Sequence, residues 1–276
     1  MTTFPKRLLE TTAESAQQQA GGRIMSRDEA QRLIQRITAM SQADEIQVNV
    51  NSGTQTNIRF ADNRISTAGS VQNNGLGIQS AFGRKSAVVT TNDMSDAGLE
   101  RAVRQSEALA RLAPDNPEAM PALGPQEYSS PRAYFTSVAD LSAAARAEAA
   151  RVAIDMAKEG GDLKAAGFIQ ANAGASALGN NKGMFAYHPQ TNVNYTLTVR
   201  TTDGTGSGWA GVDDRDWDRI DFRNVARTAI EKAKLSRNPV AIEPGRYTVI
   251  LEPQAVGDLV QLIAGYAGAR IADEAR

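Results

Sequence analysis

Residues 192–200 read NVNYTLTVR, with Val193, Tyr195, Leu197 and Val199 alternating with Asn194, Thr196, Thr198 and Arg200. Successive side chains of a strand point to opposite faces, so this period of two gathers the apolar residues on one side and the polar ones on the other. One buried and one wet face is the pattern of an antiparallel sheet, since strands of a parallel sheet are covered on both sides and read as continuous apolar runs. The same alternation recurs at 45–51, EIQVNVN, where Ile46, Val48 and Val50 face away from Gln47 and Asn49. TNIRF, RISTAGS, GIQSAF and SAVVTT follow as short strand candidates, separated by Asp62-Asn63, Asn73-Asn74-Gly75 and Gly83. They predict an antiparallel meander. GFIQANA and MFAYH, ahead of residues 192–200, predict a second one.

Helical periods flank both sets. Ser26 and Glu29 have capping-box spacing, and Leu33, Ile34, Ile37 and Met40 form a stripe behind them. From Ser95 a second helix places Leu99, Val103, Leu109 and Leu112 on or near one face. An alanine-rich helix from about Asp140 to Lys158 stops at Gly160-Gly161, and Phe222, Val225, Ala226, Ala229, Ile230 and Ala233 make a further amphipathic helix ended by Asn238-Pro239. RYTVILEP then reads as a strand leading into a helix that contains QLIAGYAGAR, residues 261–270.

Helices and strands thus come in blocks, which argues an α+β fold of antiparallel sheets with helices packed on one face, one sheet in each half. Residues 113–131 hold five prolines and break the chain into those halves. The expected organisation is a polar tail at 1–24, an α+β domain at 25–112, a Pro-rich linker at 113–131, a central α+β domain at 132–240 and the start of another domain at 241–276.

Composition narrows the function. Thirty Lys and Arg against 31 Asp and Glu give a net charge of −1, which provides no electrostatic footprint for nucleic acid or an anionic membrane. The chain has no cysteine, hence no disulfide, thiolate zinc site or cysteine nucleophile. Neither a signal-peptide core nor a run of roughly 20 apolar residues is present, so a soluble, cytoplasmic protein is expected.

Individual motifs carry little chemistry. Gly206 to Gly211 match the dinucleotide fingerprint GxGxxG, but that fingerprint needs a helix opening at the glycines, and a hairpin end is the plainer reading. DDRDWD at 213–218 places four carboxylates within six residues, without the spacing of a calcium loop. His188 is the single histidine, too few for a histidine zinc site and without a GxSxG nucleophile elbow to serve. Exposed polar strand positions such as Arg59 and Asn63 read equally well as substrate contacts or as solvated residues. From residue chemistry alone, no catalytic set emerges.

Two longer stretches are more informative. Residues 60–117, FADNRISTAGSVQNNGLGIQSAFGRKSAVVTTNDMSDAGLERAVRQSEALARLAPDNP, resemble the N-terminal region of the TldD/TldE (PmbA) family, long labelled modulator of DNA gyrase, and residues 238–270 resemble its junction into a C-terminal domain. GNNKG at 179–183 and GTGSGWAG at 204–211 fit between them. The resemblance spans roughly residues 25–276 and implies a two-subunit peptidase. Its TldD-type subunit carries HExxxH on the helix after the strand that RYTVIL would match, with a cysteine further on completing the zinc site. Laid onto this chain, the first histidine falls at Gln261, the glutamate at Leu262 and the second histidine at Tyr266, with Gly265 matching the glycine before it. Gln261 is a poor zinc ligand, Leu262 cannot serve as a base and Tyr266 is rarely a ligand.

The resemblance therefore implies the metal-free TldE (PmbA) type, with Leu259, Leu262, Ile263 and Tyr266 as a packing face. No catalytic residue and no cofactor are expected in this chain, zinc being carried by a partner. That partner would be a TldD-type subunit or a second copy, and the substrate a small or unfolded peptide. A non-proteolytic regulator of a protein such as gyrase and a metal-free peptide-binding homodimer are the alternatives, so enzymatic status stays open. Family members continue well past the position of Arg276, and a truncated chain is expected.

Overall fold

The computed structural model describes residues 24–274. The tail expected at 1–24 lies almost wholly outside them. Of the described residues, those up to Pro239 form one compact unit and those from Val240 a second.

The first unit is built on one six-stranded antiparallel sheet. In chain order its elements are α1 (Arg27–Met40), β1 (Glu45–Ala61), β2 (Arg64–Phe82), β3 (Lys85–Thr91), α2 (Asp96–Leu112), the single turn α3 (Thr136–Ala139), α4 (Ala143–Glu159), β4 (Leu163–Asn180), β5 (Phe185–Thr201), β6 (Ser207–Asp214) and α5 (Phe222–Leu235). The strand order is β3-β2-β1-β4-β5-β6. Each half contributes a three-stranded meander, as the alternation predicts, but the halves do not keep separate sheets. β1 pairs with β4 from Gln47↔Asn180 to Phe60↔Gly167, so the edge of one meander becomes the edge of the other. Joining them satisfies two rows of strand backbone groups that separate sheets would leave as open edges.

The strands are also longer than the sequence suggests. Asp62-Asn63 and Gly83 do form turns, with φ of 52°, 58° and 57°, whereas Asn73-Asn74-Gly75 runs through as regular strand paired with Asn51, Ser52 and Gly53. MFAYH and NVNYTLTVR likewise fuse into β5.

Helices cover one face. Val193, Tyr195, Leu197 and Val199 are fully buried beneath it. Along β1 the covered positions read Ile46, Val48, Val50, then Ser52, Thr54, Thr56, then Ile58 and Phe60, all buried. The polar middle divides the core in two: Ile46, Val48 and Val50 pack with α1 and α2, and Ile58 and Phe60 pack with α4 and α5. The Ser26–Glu29 capping box starts α1 as expected, Glu29 N–H donating to Ser26 Oγ and Ser26 N–H to Glu29 Oε2. On α2, Leu99 and Val103 are buried as expected, but Leu109 is 44% and Leu112 83% exposed. Ala102, Ser106, Glu107 and Ala110 complete the inner face instead.

Gly206 and Gly208 have a packing role. A Cβ at either would collide with the backbone carbonyl of Ala233 or Ala229, so these glycines let α5 lie directly on β6. No helix opens at them, and the fingerprint match carries no dinucleotide geometry.

In the second unit, residues 246–251 form neither strand nor helix, in contrast to the expected strand RYTVIL. Alternation alone does not make a strand; a hydrogen-bonded neighbour is needed, and none is present among the described residues. Two helices follow, α6 (Pro253–Gly265) and α7 (Ala269–Asp273), where the sequence suggests one.

Candidate functional site

Gln261 and Leu262 lie on α6, and Tyr266 is its C-cap residue. The helix tightens as it ends: Tyr266 N–H donates to the Ile263 carbonyl at 3.1 Å and Ala267 N–H to that of Ala264 at 3.1 Å, both i to i−3. Gln261 and Tyr266, five positions apart, would stand about 140° apart on a regular helix. An amide, an alkyl chain and a phenol do not make a zinc donor set with a general base, so these three positions do not fit the metal that the family's HExxxH helix would hold. Leu259, Leu262, Ile263 and Tyr266 are between 52% and 71% exposed among the described residues.

The other motif residues are dispersed. His188 lies near the start of β5, opposite Ser176. Asp213 and Asp214 end β6, while Asp216 caps the short 3-10 turn Trp217–Arg219 and accepts from Ser137 Oγ at 2.6 Å. Among the described residues, no group of three or more His, Cys, Asp or Glu side chains is placed to hold a metal ion. Asn63 serves the fold: its Nδ2 donates to the Leu163 carbonyl at 2.9 Å and its Oδ1 accepts from Ala165 N–H at 2.7 Å, pinning the β1–β2 turn to β4. Arg59 stacks over the Phe168 ring at 5.5 Å. In GNNKG, the Asn180 carboxamide accepts from the Lys182 and Met184 amides and donates to the Leu123 carbonyl, clamping the β4–β5 turn.

What sequence reasoning missed is the uncovered face of the sheet. Its β1 positions are Gln47, Asn49, Asn51, Gly53, Gln55, Asn57 and Arg59, each alternate with a buried residue. The register sets Gln55 beside Asn172 and Asn172 beside Asn192; the next row is Asn57, Gln170, Asn194 and Asp213. On the other side, Asn73 stands opposite Gly53, and Gly53 opposite Gly174. The glycine pair belongs to a close approach, since a Cβ on Gly53 would lie 3.1 Å from the Ala173 carbonyl oxygen and one on Gly174 3.2 Å from that of Ser52. It also leaves the strand backbones bare of side chains at the middle of the face.

A concavity of about 1160 Å3 is lined by residues of this face, among them Asn51, Gln55, Asn73, Asn172, Gln190 and Asn192. Asp213 is held in place by Asn192 Nδ2 at 2.6 Å and Asn194 Nδ2 at 3.4 Å, and Ser176 Oγ donates to Asn51 Oδ1 at 2.9 Å. Arg132, Arg215 and Arg219 also line the concavity. Chemically the arrangement can exchange hydrogen bonds in both directions, because a carboxamide both donates and accepts.

The family of the chain is settled by two matches. Residues 47–110 match "PmbA/TldA metallopeptidase domain 1" and residues 128–237 match "PmbA/TldA metallopeptidase central domain". This chain belongs to the PmbA/TldD family. The two matched PmbA/TldD domains coincide with the two meanders, so the joined sheet spans a domain junction.

Solved structures agree on the fold. TldE from Thermococcus kodakarensis superposes with a TM-score of 0.63 at 16% identity, over 74% of this chain and 47% of that one. A protein crystallised as a candidate modulator of DNA gyrase from Thermotoga maritima gives 0.70 at 14%, over 78% and 50%. Another so described, from Bacteroides thetaiotaomicron, gives 0.76 at 12%, over 90% and 59%. The chain therefore spans about half of the length of these neighbours. No curated protein matches it by sequence. Among the described residues, no helix is long and apolar enough to cross a membrane.

Proposed function

We propose that this chain is the non-catalytic, TldE (PmbA)-type subunit of a TldD/TldE-type metallopeptidase that cleaves small or unfolded peptides. What supports the reading is the identity of Gln261, Leu262 and Tyr266, which fall where the resemblance would put two histidines and a glutamate. The scaffold around it supports a working protein rather than a decayed one: strand alternation, caps and turn residues agree with one another from α1 to α5. A chain with an intact scaffold and no metal chemistry suits the role of wall and surface for a site whose zinc, bound water and glutamate base belong to another chain. This reading places the chain in the cytoplasm, joined to a TldD-type subunit or to a second copy, and assigns it no cofactor of its own.

A second reading is favoured by the names of two structural neighbours, which are described as modulators of DNA gyrase. In it the chain binds a protein target and supports no proteolysis. Peptide cleavage by an HExxxH-bearing subunit, measured with and without this protein, separates the two: stimulated, chelator-sensitive cleavage supports the subunit reading, and unchanged cleavage supports the regulator.

A further inference from the structure

The helix-bearing side of the sheet is not covered evenly. α1 and α2 pack with Ile46, Val48, Val50, Leu76 and Ile78, and α4 and α5 with Ile58 and Phe60. Between the two sets run Ser52, Thr54 and Thr56, which belong to neither apolar cluster. Beside them on β2, and on the same side of the sheet, stand Asn74, Gln72 and Ser70, with Ala68 next to Ile58. Ala68, Ser70 and Gln72 are exposed. We propose that this gap between the helix pairs is the docking site of the chain's own N-terminal segment, residues 5–20, bound as a helix; the inference is independent of the peptidase-subunit reading.

Three observations name that occupant. The first is the point from which the segment departs. Met25 N–H donates to Ser52 Oγ at 3.0 Å, and the Tyr187 hydroxyl donates to the Met25 carbonyl at 2.9 Å. The chain before Met25 therefore leaves from the row of Ser52 and Asn74, at one end of the gap. Residues 21–24 are a short tether, and a short tether holds its cargo at an effective concentration on the order of millimolar, which favours this chain over a second copy.

The second observation is the sequence. Pro5 and the pair Gly21-Gly22 have the positions of helix start and stop signals. Between them Leu9, Ala13, Ala16 and Ala20 recur at i, i+4, i+7 and i+11, one stripe of a helix, with Arg7, Glu14 and Gln18 on the opposite face. The third is size. A helix over residues 5–20 is about 24 Å long at about 1.5 Å per residue. The β1 rows from Ser52 to Ile58 cover about 20 Å at about 3.3 Å per residue. The small side chains of the stripe let a helix backbone come close to a floor of serine, threonine and alanine, since the side chains at a contact set its distance.

The consequence is that the N-terminal segment bridges the two apolar clusters and braces the β1–β2 hairpin from the helix-bearing side.

The chain has no cysteine, so an engineered pair reports on this contact alone. With Ala20 over the Thr54–Gln72 row, one helical turn places Ala16 over Thr56 and Ser70. The test is disulfide formation under mild oxidation of dilute protein in the variant Ala16→Cys/Ser70→Cys, against Ala16→Cys/Gln105→Cys, whose second position is exposed on α2. The Ser70 pair is expected to close within one chain about tenfold faster than the control pair. Equal rates, or no closure, overturn the proposal. So does a disulfide that joins two chains, because the gap then receives the segment of a second copy. Hydrogen exchange provides a second reading without cysteines. Ala16→Glu is expected to speed exchange of amides 67–75 by about tenfold, while Gln18→Glu, on the other face of the same helix, leaves them unchanged. Rates unaltered by Ala16→Glu, raised equally by both variants, or raised equally in β4 and β5, overturn it.

Discussion

Tyr195 lies against Phe222 with ring centroids 5.4 Å apart, and its hydroxyl is buried without a hydrogen-bond partner among the described residues. Burial pushes that hydroxyl well above the ordinary tyrosine range, so it stays neutral where an exposed tyrosine would already ionise. A buried, unsatisfied hydroxyl destabilises by roughly 1–3 kcal/mol relative to a satisfied one. Tyr195→Phe removes it and keeps the ring contact. The expected result is a gain of about 1 kcal/mol, read as a higher urea midpoint with the same slope; a loss of stability would show that the hydroxyl has a partner.

Gly208→Ala tests the α5–β6 approach. The added methyl would meet the Ala229 carbonyl, which is backbone and cannot rotate aside. A cost of about 3 kcal/mol is expected, in the upper part of the range for overpacked sites, measured by chemical denaturation. An unchanged midpoint would contradict the close packing.

Glu107 ties α2 to the end of α1. Its Oε1 accepts from Gln42 N–H at 2.5 Å and Ser41 Oγ at 2.9 Å, and its Oε2 from Arg104 at 2.8 Å. Burial works to raise this carboxyl, but the bonds from Gln42, Arg104 and Ser41 favour its charged form, and the net shift is downward from the ordinary value of 4.5. A depressed pKa contributes stability that is fully present above 4.5 and disappears as pH falls through the lower folded value. Glu107→Gln should therefore be less stable at neutral pH by about 1–3 kcal/mol, and its stability should fall less steeply than that of the unaltered chain as pH drops below 4.5. Parallel urea midpoints across that pH range would rule this out.

How much could be read in advance follows from which interactions are local. The period of two at Val193–Val199 and the Ser26–Glu29 box involve neighbours a few residues apart, and both appear as read. The joining of β1 to β4 depends on partners more than 100 residues apart, and alternation says which face is buried without saying which strand lies alongside. Asn73-Asn74-Gly75 resembles a break because turn residues dominate it, yet Asn73 and Gly75 lie on the uncovered sheet face, where asparagine and glycine are tolerated, and Asn74 stands opposite Ser52 on the other face. That same property hid the candidate site: each carboxamide read singly as an ordinary solvated strand residue, and only the register collects them. Leu112 lies about 140° around α2 from Leu99 at about 100° per residue, which carries it off the buried face.

The metal expectation has its own assay. Because Gln261, Leu262 and Tyr266 provide neither an imidazole nor a carboxylate, the chain should retain no stoichiometric zinc after dialysis, by elemental analysis. One equivalent of zinc per chain would contradict the account of this helix.

The most direct test of the central claim is cleavage of an unfolded peptide by this protein, by a TldD-type subunit carrying HExxxH, and by the two together. The account predicts no cleavage by this protein alone, and chelator-sensitive cleavage by the mixture that exceeds the partner's own. Equal cleavage by the partner with and without this protein would contradict it.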